Sequence, residues 1–147
     1  MKVEFKIEWI PYEKMETILP LVFSLNEGRL GFDVLKKRLD SMLKMESYRC
    51  IGVYDKDDLI GICGVWMLHK FYAGKHLEAD NVYVKPEYRS KGVGELMMQW
   101  LFDFAKKENC ESVEANCYIK NVRGEKFWKN QGFEALGYHM IKKFDTI

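Results

Sequence analysis

Arg89, Ser90, Lys91, Gly92, Val93 and Gly94 stand between a strand-like run and a helix-like one, and their types are those that hold phosphate. The first N–H groups of a helix lack internal partners and carry partial positive charge. Glycine lets the backbone turn and lets an anion approach without a Cβ in the way. Arg89 and Lys91 add side-chain charge. The same glycines could also do nothing more than start a helix, and both readings stand at this point. Just upstream, Glu78 and Asp80 lie two apart on the strand-like run Leu77–Val84, so they face the same way. Carboxylates placed there could remove protons from a substrate, or could be solvent-facing charges on a strand. The loop lacks a Lys-Ser/Thr pair after Gly94 and does not have the G-x-G-x-x-G spacing, so neither a P-loop nor a dinucleotide fingerprint fits.

Arg89-x-x-Gly92-x-Gly94, behind a V-Y-V-x-P strand end, resembles the acetyl-CoA pyrophosphate loop of the GNAT-type N-acetyltransferases. Downstream, Asn121-x-x-Gly124-x-x-Phe127-Trp128-x-x-x-Gly132-Phe133 resembles that family's second signature, a helix beside the cofactor thiol followed by a G-F turn. Two motifs in order, separated by a helix and a strand, are more specific than either alone.

The resemblance implies acetyl-CoA as cosubstrate, no metal, and transfer to the primary amine of a small molecule or a protein. It puts the cofactor against Val82, Tyr83, Val84, Arg89, Ser90, Lys91, Gly92, Val93, Gly94, Asn121, Gly124, Phe127 and Trp128. Backbone N–H groups near Val82–Val84 would face the thioester carbonyl. Asp80 and Glu78 occupy the two places where different members carry the general base. An alkylamine has a pKa of about 10.4, so it arrives protonated and must lose a proton before it attacks. Asn121 would bind the pantetheine amides or cap its own helix, and Lys126 and Lys129 would reach a phosphate or only solvent. The chain departs from the family where Trp128 replaces the usual tyrosine acid, since an indole N–H donates hydrogen bonds but is no acid. Tyr118 is the candidate substitute, with an ordinary core or surface tyrosine as the other reading. Gly124 replaces an alanine, which points to close packing there. Two alternatives follow: a non-catalytic acyl-CoA-binding sensor or regulatory module, and an enzyme using a longer acyl group.

These residues need a scaffold, and the chain is long enough to build one. Its 147 residues, 48% hydrophobic and 14% aromatic, suit a single domain, 1–147, with a substantial core. A net charge of +1 without basic blocks argues against nucleic acid as main partner. No apolar run reaches membrane-span length, and the alternating start M-K-V-E-F-K-I-E-W-I reads as a strand and not a signal peptide. The four cysteines, Cys50, Cys63, Cys110 and Cys117, form no C-x-x-C pair. Free thiols in a reducing cytoplasm are expected, and a homodimer is left open.

Val3, Phe5, Ile7 and Trp9 alternate with charges as in a half-buried strand. Helical spacing follows at Met15, Ile18, Leu19 and Val22, interrupted or kinked by Pro20. Asp33 is the expected cap of a second helix carrying Leu35, Leu39, Met42 and Leu43. Residues 48–54 and 59–66 read as strands around an Asp55–Asp58 turn, and Met67–Lys75 as a loop. That loop, with Trp66, Phe71, Tyr72 and His69, joins Asn26–Asp33 and the Tyr138–His139 region as the expected acceptor wall. The helix behind Gly92 carries a stripe at Val93, Met97, Trp100, Leu101, Phe104 and Ala105, and ends near Asn109. Ser112–Tyr118 reads as a strand, Val122–Gln131 as a helix, and Phe133–Leu136 and Tyr138–Phe144 as closing strands. The order β-α-α-β-β-β-α-β-α-β-β resembles the GNAT fold, a mixed α/β (α+β) architecture with a mostly antiparallel central sheet flanked by helices. In that family the cofactor lies where the strands on either side of the third helix splay apart.

Overall fold

The computed structural model describes residues 4–145, which divide into two compact units, one running to Glu114 and the other from Ala115 onward. The first unit holds most of a five-stranded sheet ordered β1-β2-β3-β4-β5. Its strands are β1 (Lys6–Trp9), β2 (Tyr48–Asp55), β3 (Asp58–Lys70), β4 (Gly74–Val84) and β5 (Ser112–Ala115). The pairs β1/β2, β2/β3 and β3/β4 are antiparallel. The strand read across the first ten residues is present from Lys6 to Trp9, where Ile7, Glu8 and Trp9 are all half-buried, while Val3 lies outside the described residues.

One sheet face carries α3 (Val93–Lys107), whose Val93, Met97, Met98, Leu101 and Ala105 are buried. Trp9 meets it through edge-on contacts with Trp100 and Phe104 at centroid distances of 5.1 and 4.9 Å. Glu95, Gln99, Asp103 and Lys106 face outward, as an amphipathic helix requires. Asn109 has a φ of 60°, the left-handed conformation that closes a helix. The other core gathers Met15, Ile18, Leu21 and Leu39 against Tyr48, Cys50 and Ile62, with Trp66 and Tyr83 packed on it.

Several boundaries move. The break expected at Pro20 is present as an interruption and not as a kink. A 3-10 helix, Tyr12–Ile18, hands over to α1 (Leu19–Leu25), and Pro20 sits in the first turn, where its missing N–H costs nothing. Asp33 is not the cap of α2 (Phe32–Met42): Gly31 holds that position, and Asp33 adds negative charge within the first turn. The Met67–Lys75 loop is mostly strand. Met67 pairs with Leu77, His69 with Lys75 and Lys70 with Gly74, so β3 and β4 form a long hairpin that turns at Phe71–Ala73.

In the second unit α4 spans Val122–Asn130. The strand expected at Ser112–Tyr118 stops at Ala115. The two closing strands are absent from the described residues. Phe133–Leu136 and Tyr138–Phe144 carry no ladder, and Leu136, Tyr138, Met140 and Phe144 are exposed. Apolar alternation marks which side chains a sheet would bury, but a strand also needs a neighbouring backbone to pair with.

Candidate active site

On β4 the side chains at positions 76, 78 and 80 share a face, because strand residues alternate. Asp80 is fixed from the neighbouring strand: the Trp66 indole Nε1 donates to its Oδ2 at 3.0 Å. Trp66 is itself braced by Tyr48, with ring centroids 4.6 Å apart. Opposite Asp80, a Cβ on Gly64 would stand 2.9 Å from the Asp80 carbonyl oxygen, so glycine is what lets the two strands close at this point. Burial above all pushes the Tyr48 hydroxyl far up, and the nearby Asp80 charge adds to it. Burial likewise pushes the Cys50 thiol up to about 12. The ground behind Asp80 is therefore dry and uncharged.

Directly beyond Asp80 the ladder slips. Gly64 pairs with Asp80 but Ile62 pairs with Tyr83, so β4 carries one extra residue across Asn81–Val82. Asn81 takes a φ of 51°, which turns the local peptide out of the strand plane. A bulge thus sits at Asn81–Val82, at the start of the Val82–Val84 backbone.

After Val84 a short 3-10 turn, Pro86–Tyr88, leads into the glycine loop. Arg89 folds back: its Nε donates to the Val84 carbonyl at 2.9 Å, and its guanidinium stands 5.2 Å from the Tyr83 ring centre. Ser90 and Gly92 both have positive φ, 62° and 78°. Gly92 is the N-cap of α3, without a side-chain cap, and nothing lies within 4 Å of where its Cβ would be. Open backbone ahead of a 15-residue helix is a cradle suited to a diphosphate. Lys91, 5.5 Å from the Tyr88 ring centre, and Val93, whose side chain is buried, flank it.

In the second unit, Asn121 caps α4 by accepting the Gly124 N–H at 2.9 Å. A Cβ on Gly124 would collide with the Asn121 side-chain amide, which explains glycine where the family has alanine. Trp128 packs edge-on against Phe127 and Phe133, at 5.1 and 4.9 Å. Tyr118 is 86% exposed. These residues stay together within their unit, while Glu78, Asp80 and the glycine loop belong to the first.

Sequence reasoning missed three partners. The sequence pattern points Trp66 to an acceptor wall, whereas its indole binds Asp80. Tyr72, whose hydroxyl donates to Glu114 Oε1 at 2.6 Å, and His76, fully buried, were not linked to any carboxylate. The first follows from the β3–β4 register, and the other two from β5 lying beside β4, where Glu114 meets the hairpin. A cavity of about 360 Å³ lies elsewhere, lined by Trp9, Arg49, Val65, Leu77 and Phe104, and includes neither carboxylate.

A family model described as the Acetyltransferase (GNAT) family matches residues 12–133. The chain belongs to the GNAT acetyltransferase family. Membership makes it an acetyl-CoA-dependent N-acetyltransferase. It is similar to the uncharacterized N-acetyltransferase YhdJ of Bacillus subtilis (strain 168), 23% identical over 110 residues, or 74% of this chain and 78% of the relative. It is also similar to the thialysine N-epsilon-acetyltransferase of Sus scrofa, 23% identical over 57% of this chain and about half (52%) of that protein. Among solved structures, aminoglycoside N-acetyltransferase AAC(6')-Iy in complex with CoA superposes with a TM-score of 0.83. It is 14% identical, covering 99% of this chain and 98% of that one. The ribosomal-protein-alanine N-acetyltransferase of Brucella melitensis biovar Abortus 2308 gives 0.80 at 19% identity, covering 95% and 99%. At such identities the structural likenesses establish the fold. Among the described residues of this acetyltransferase no group of His, Cys, Asp or Glu could hold a metal ion. No described helix is long and apolar enough to cross a membrane.

Proposed function

We propose that this acetyltransferase moves the acetyl group of acetyl-CoA directly to a primary amine, that Asp80 is the general base, and that both units serve one catalytic domain. The observation that carries the reading is the Asp80 carboxylate, held by Trp66 at 3.0 Å on the strand that leads into the glycine loop. A carboxylate so fixed, with one oxygen committed to the indole, offers its second oxygen in one direction. It takes a proton from the ammonium, directly or through a water. The freed nitrogen then forms its bond to the acetyl carbon, the C–S bond breaks, and the surplus proton left on the nitrogen passes to the departing thiolate, so that amide and CoA thiol are released while Asp80 returns its own proton to solvent.

The residues present fit the cosubstrate. The open left-handed Gly92, the N–H groups opening α3 and the Arg89–Lys91 charges suit its diphosphate. The Asn81–Val82 bulge supports a role for the Val82–Val84 backbone in steadying the oxyanion. Asn121 is occupied as a cap, which favours a structural role over pantetheine binding. A thiol of ordinary pKa near 8.5 is a tolerable leaving group, so Trp128 in place of tyrosine does not forbid turnover, and Tyr118 is needed only if that departure is slow. Glu78 is the second candidate base.

Release of free thiol from acetyl-CoA tests this, measured with wild type and Asp80→Asn against polyamines, aminoglycosides, amino acids and peptide N-termini. Turnover that Asp80→Asn lowers at least a hundredfold, with acetyl-CoA affinity retained, is the expected result. Failure to bind acetyl-CoA at millimolar concentration would overturn the cosubstrate assignment. Binding without thiol release from any amine would move the protein to the sensor reading.

A further inference from the structure

The glycine loop is exposed from Arg89 to Gly92, and the segment that enters it leaves the sheet at Lys85, whose N–H donates to the Ile60 carbonyl at 2.9 Å. A loop of this kind must be ordered each time an anion arrives, unless side chains outside it hold it beforehand. Arg89 ties it back along β4 through the Val84 carbonyl. Tyr88, half-buried at the end of the 3-10 turn, ties it sideways. Its hydroxyl donates to Asp55 Oδ2 at 2.6 Å, 33 positions earlier at the end of β2. A hydrogen bond to a carboxylate is of the stronger, charge-assisted kind. That bond above all pushes the Tyr88 hydroxyl up to about 12, so it remains a donor at neutral pH.

The ring of the same side chain is also engaged. It meets Phe5 edge-on at 6.0 Å, and Lys91 Nζ stands 5.5 Å from its centre, within cation–π reach. One residue therefore sets both the path of the backbone into the loop and the place of a loop cation. The β2–β3 turn supplies a second tie for contrast. Asp58 pairs with Lys85 at 3.3 Å, but this pair lies nearer solvent and ends before Pro86. We propose that Asp55 and Tyr88 are a positioning pair for the cosubstrate. Asp55 fixes Tyr88, and Tyr88 holds the glycine loop and Lys91 in the arrangement that receives the diphosphate. Backbone N–H groups bind an anion well only when they already point at it, and this pair supplies that order from a neighbouring strand. The inference rests on the reading of the loop as a diphosphate cradle and extends it to two residues outside the loop.

Calorimetric titration of CoA into the full chain tests the pair, beside a thermal melt of each variant. Tyr88→Phe keeps the ring and removes the hydroxyl, and Asp55→Ala removes the acceptor. Each should bind CoA about fivefold more weakly than wild type, and the double variant no more weakly than either. Asp55→Asn keeps an oxygen that can accept from the phenol and should recover most of the affinity. Asp58→Asn, which breaks only the Lys85 pair, should bind as wild type does. A role confined to stability would lower the melting temperatures and leave CoA affinity where it was. Unchanged affinity in Tyr88→Phe or Asp55→Ala, additive losses in the double variant, or an equal loss in Asp58→Asn would overturn the proposal while leaving the cradle in place. A wild type that takes up no CoA would overturn the cradle and the pair together.

Discussion

Trp66 and Asp80 lie 14 positions apart in sequence and 3.0 Å apart in space, joined by an indole N–H that ends on a carboxylate oxygen. The bond does two things at once. It satisfies a half-buried donor, and it selects one orientation of the carboxylate on a strand that is about to bulge. Trp66→Phe keeps an aromatic ring beside Tyr48 and removes the donor. A hydrogen bond to a charged group contributes about 1.5–3 kcal/mol. If half of that serves orientation, kcat should fall roughly four- to tenfold while the affinity for acetyl-CoA stays the same. Steady-state kinetics with separate kcat and KM values, beside calorimetric cofactor binding, check the split; an equal loss in cofactor affinity would mean that Trp66 only supports the fold.

Gly92 offers a cleaner test of the anion cradle than a bulky replacement would. Its φ of 78° is tolerated by Asn and Asp better than by other side chains, and there is room for a Cβ. Gly92→Asn and Gly92→Asp should therefore fold alike, with similar melting temperatures. They differ by one charge placed at the mouth of α3. Like charges some 6 Å apart repel by roughly 3 kcal/mol at an effective dielectric of 20. Calorimetry should show Gly92→Asp binding CoA at least tenfold more weakly than Gly92→Asn, and the gap should narrow in high salt. Equal affinities would place the diphosphate elsewhere.

How much of this could be read beforehand depended on whether a signal was local. The α3 stripe at Val93, Met97, Leu101 and Ala105 and the left-handed stop at Asn109 were legible, because helix periodicity and capping are written within a few residues. The glycine loop was legible for the same reason. The outer half of the hairpin was not. Beyond Trp66 the strand runs out past the core, so the continuous burial of Leu59–Val65 gives way to half-buried Met67 and Leu68 and exposed His69 and Lys70 while the backbone ladder continues. The last two strands failed in the opposite direction. The apolar pattern at Leu136, Tyr138, Met140 and Phe144 was present, but no described strand pairs with it. The pairs Trp66–Asp80, Tyr72–Glu114 and His76–Glu114 depend on register between strands, which no single stretch encodes.

The Asn121–Gly124 pair predicts a test confined to the second unit. Asn121 accepts the Gly124 N–H at 2.9 Å, and a methyl at 124 would strike the amide that makes this bond. Asn121→Ala should loosen α4 by about 1 kcal/mol through loss of the cap. Gly124→Ala should do the same despite the better helix propensity of alanine, because it forces the cap aside. In the Asn121→Ala background the obstruction is gone, so Gly124→Ala should there become stabilising. Hydrogen exchange of the α4 amides in the four proteins of this cycle reads the sign change directly. Additive losses would mean the two residues act independently.

Alkaline pH probes the dry ground behind Asp80. Burial holds the Cys50 thiol up at about 12, against about 8.5 for a free thiol. A raised pKa means that the folded state keeps a proton which the unfolded chain releases. The resulting stability is complete below the unfolded value and is lost as pH climbs toward the folded one. One such group costs about 1.4 kcal/mol per pH unit across that window. Tyr48 and Cys63, both shifted upward mainly by burial, steepen the decline as their own unfolded values are passed. Urea melts should give a constant stability from pH 7 to 8 and a falling one from 9 to 11. In Cys50→Ala the fall should be shallower by about one proton's worth, even though the variant starts from a lower stability at pH 7 because a small cavity has been opened. An unchanged slope would show that Cys50 ionises without opening the core, and that water reaches the back of the Asp80 strand.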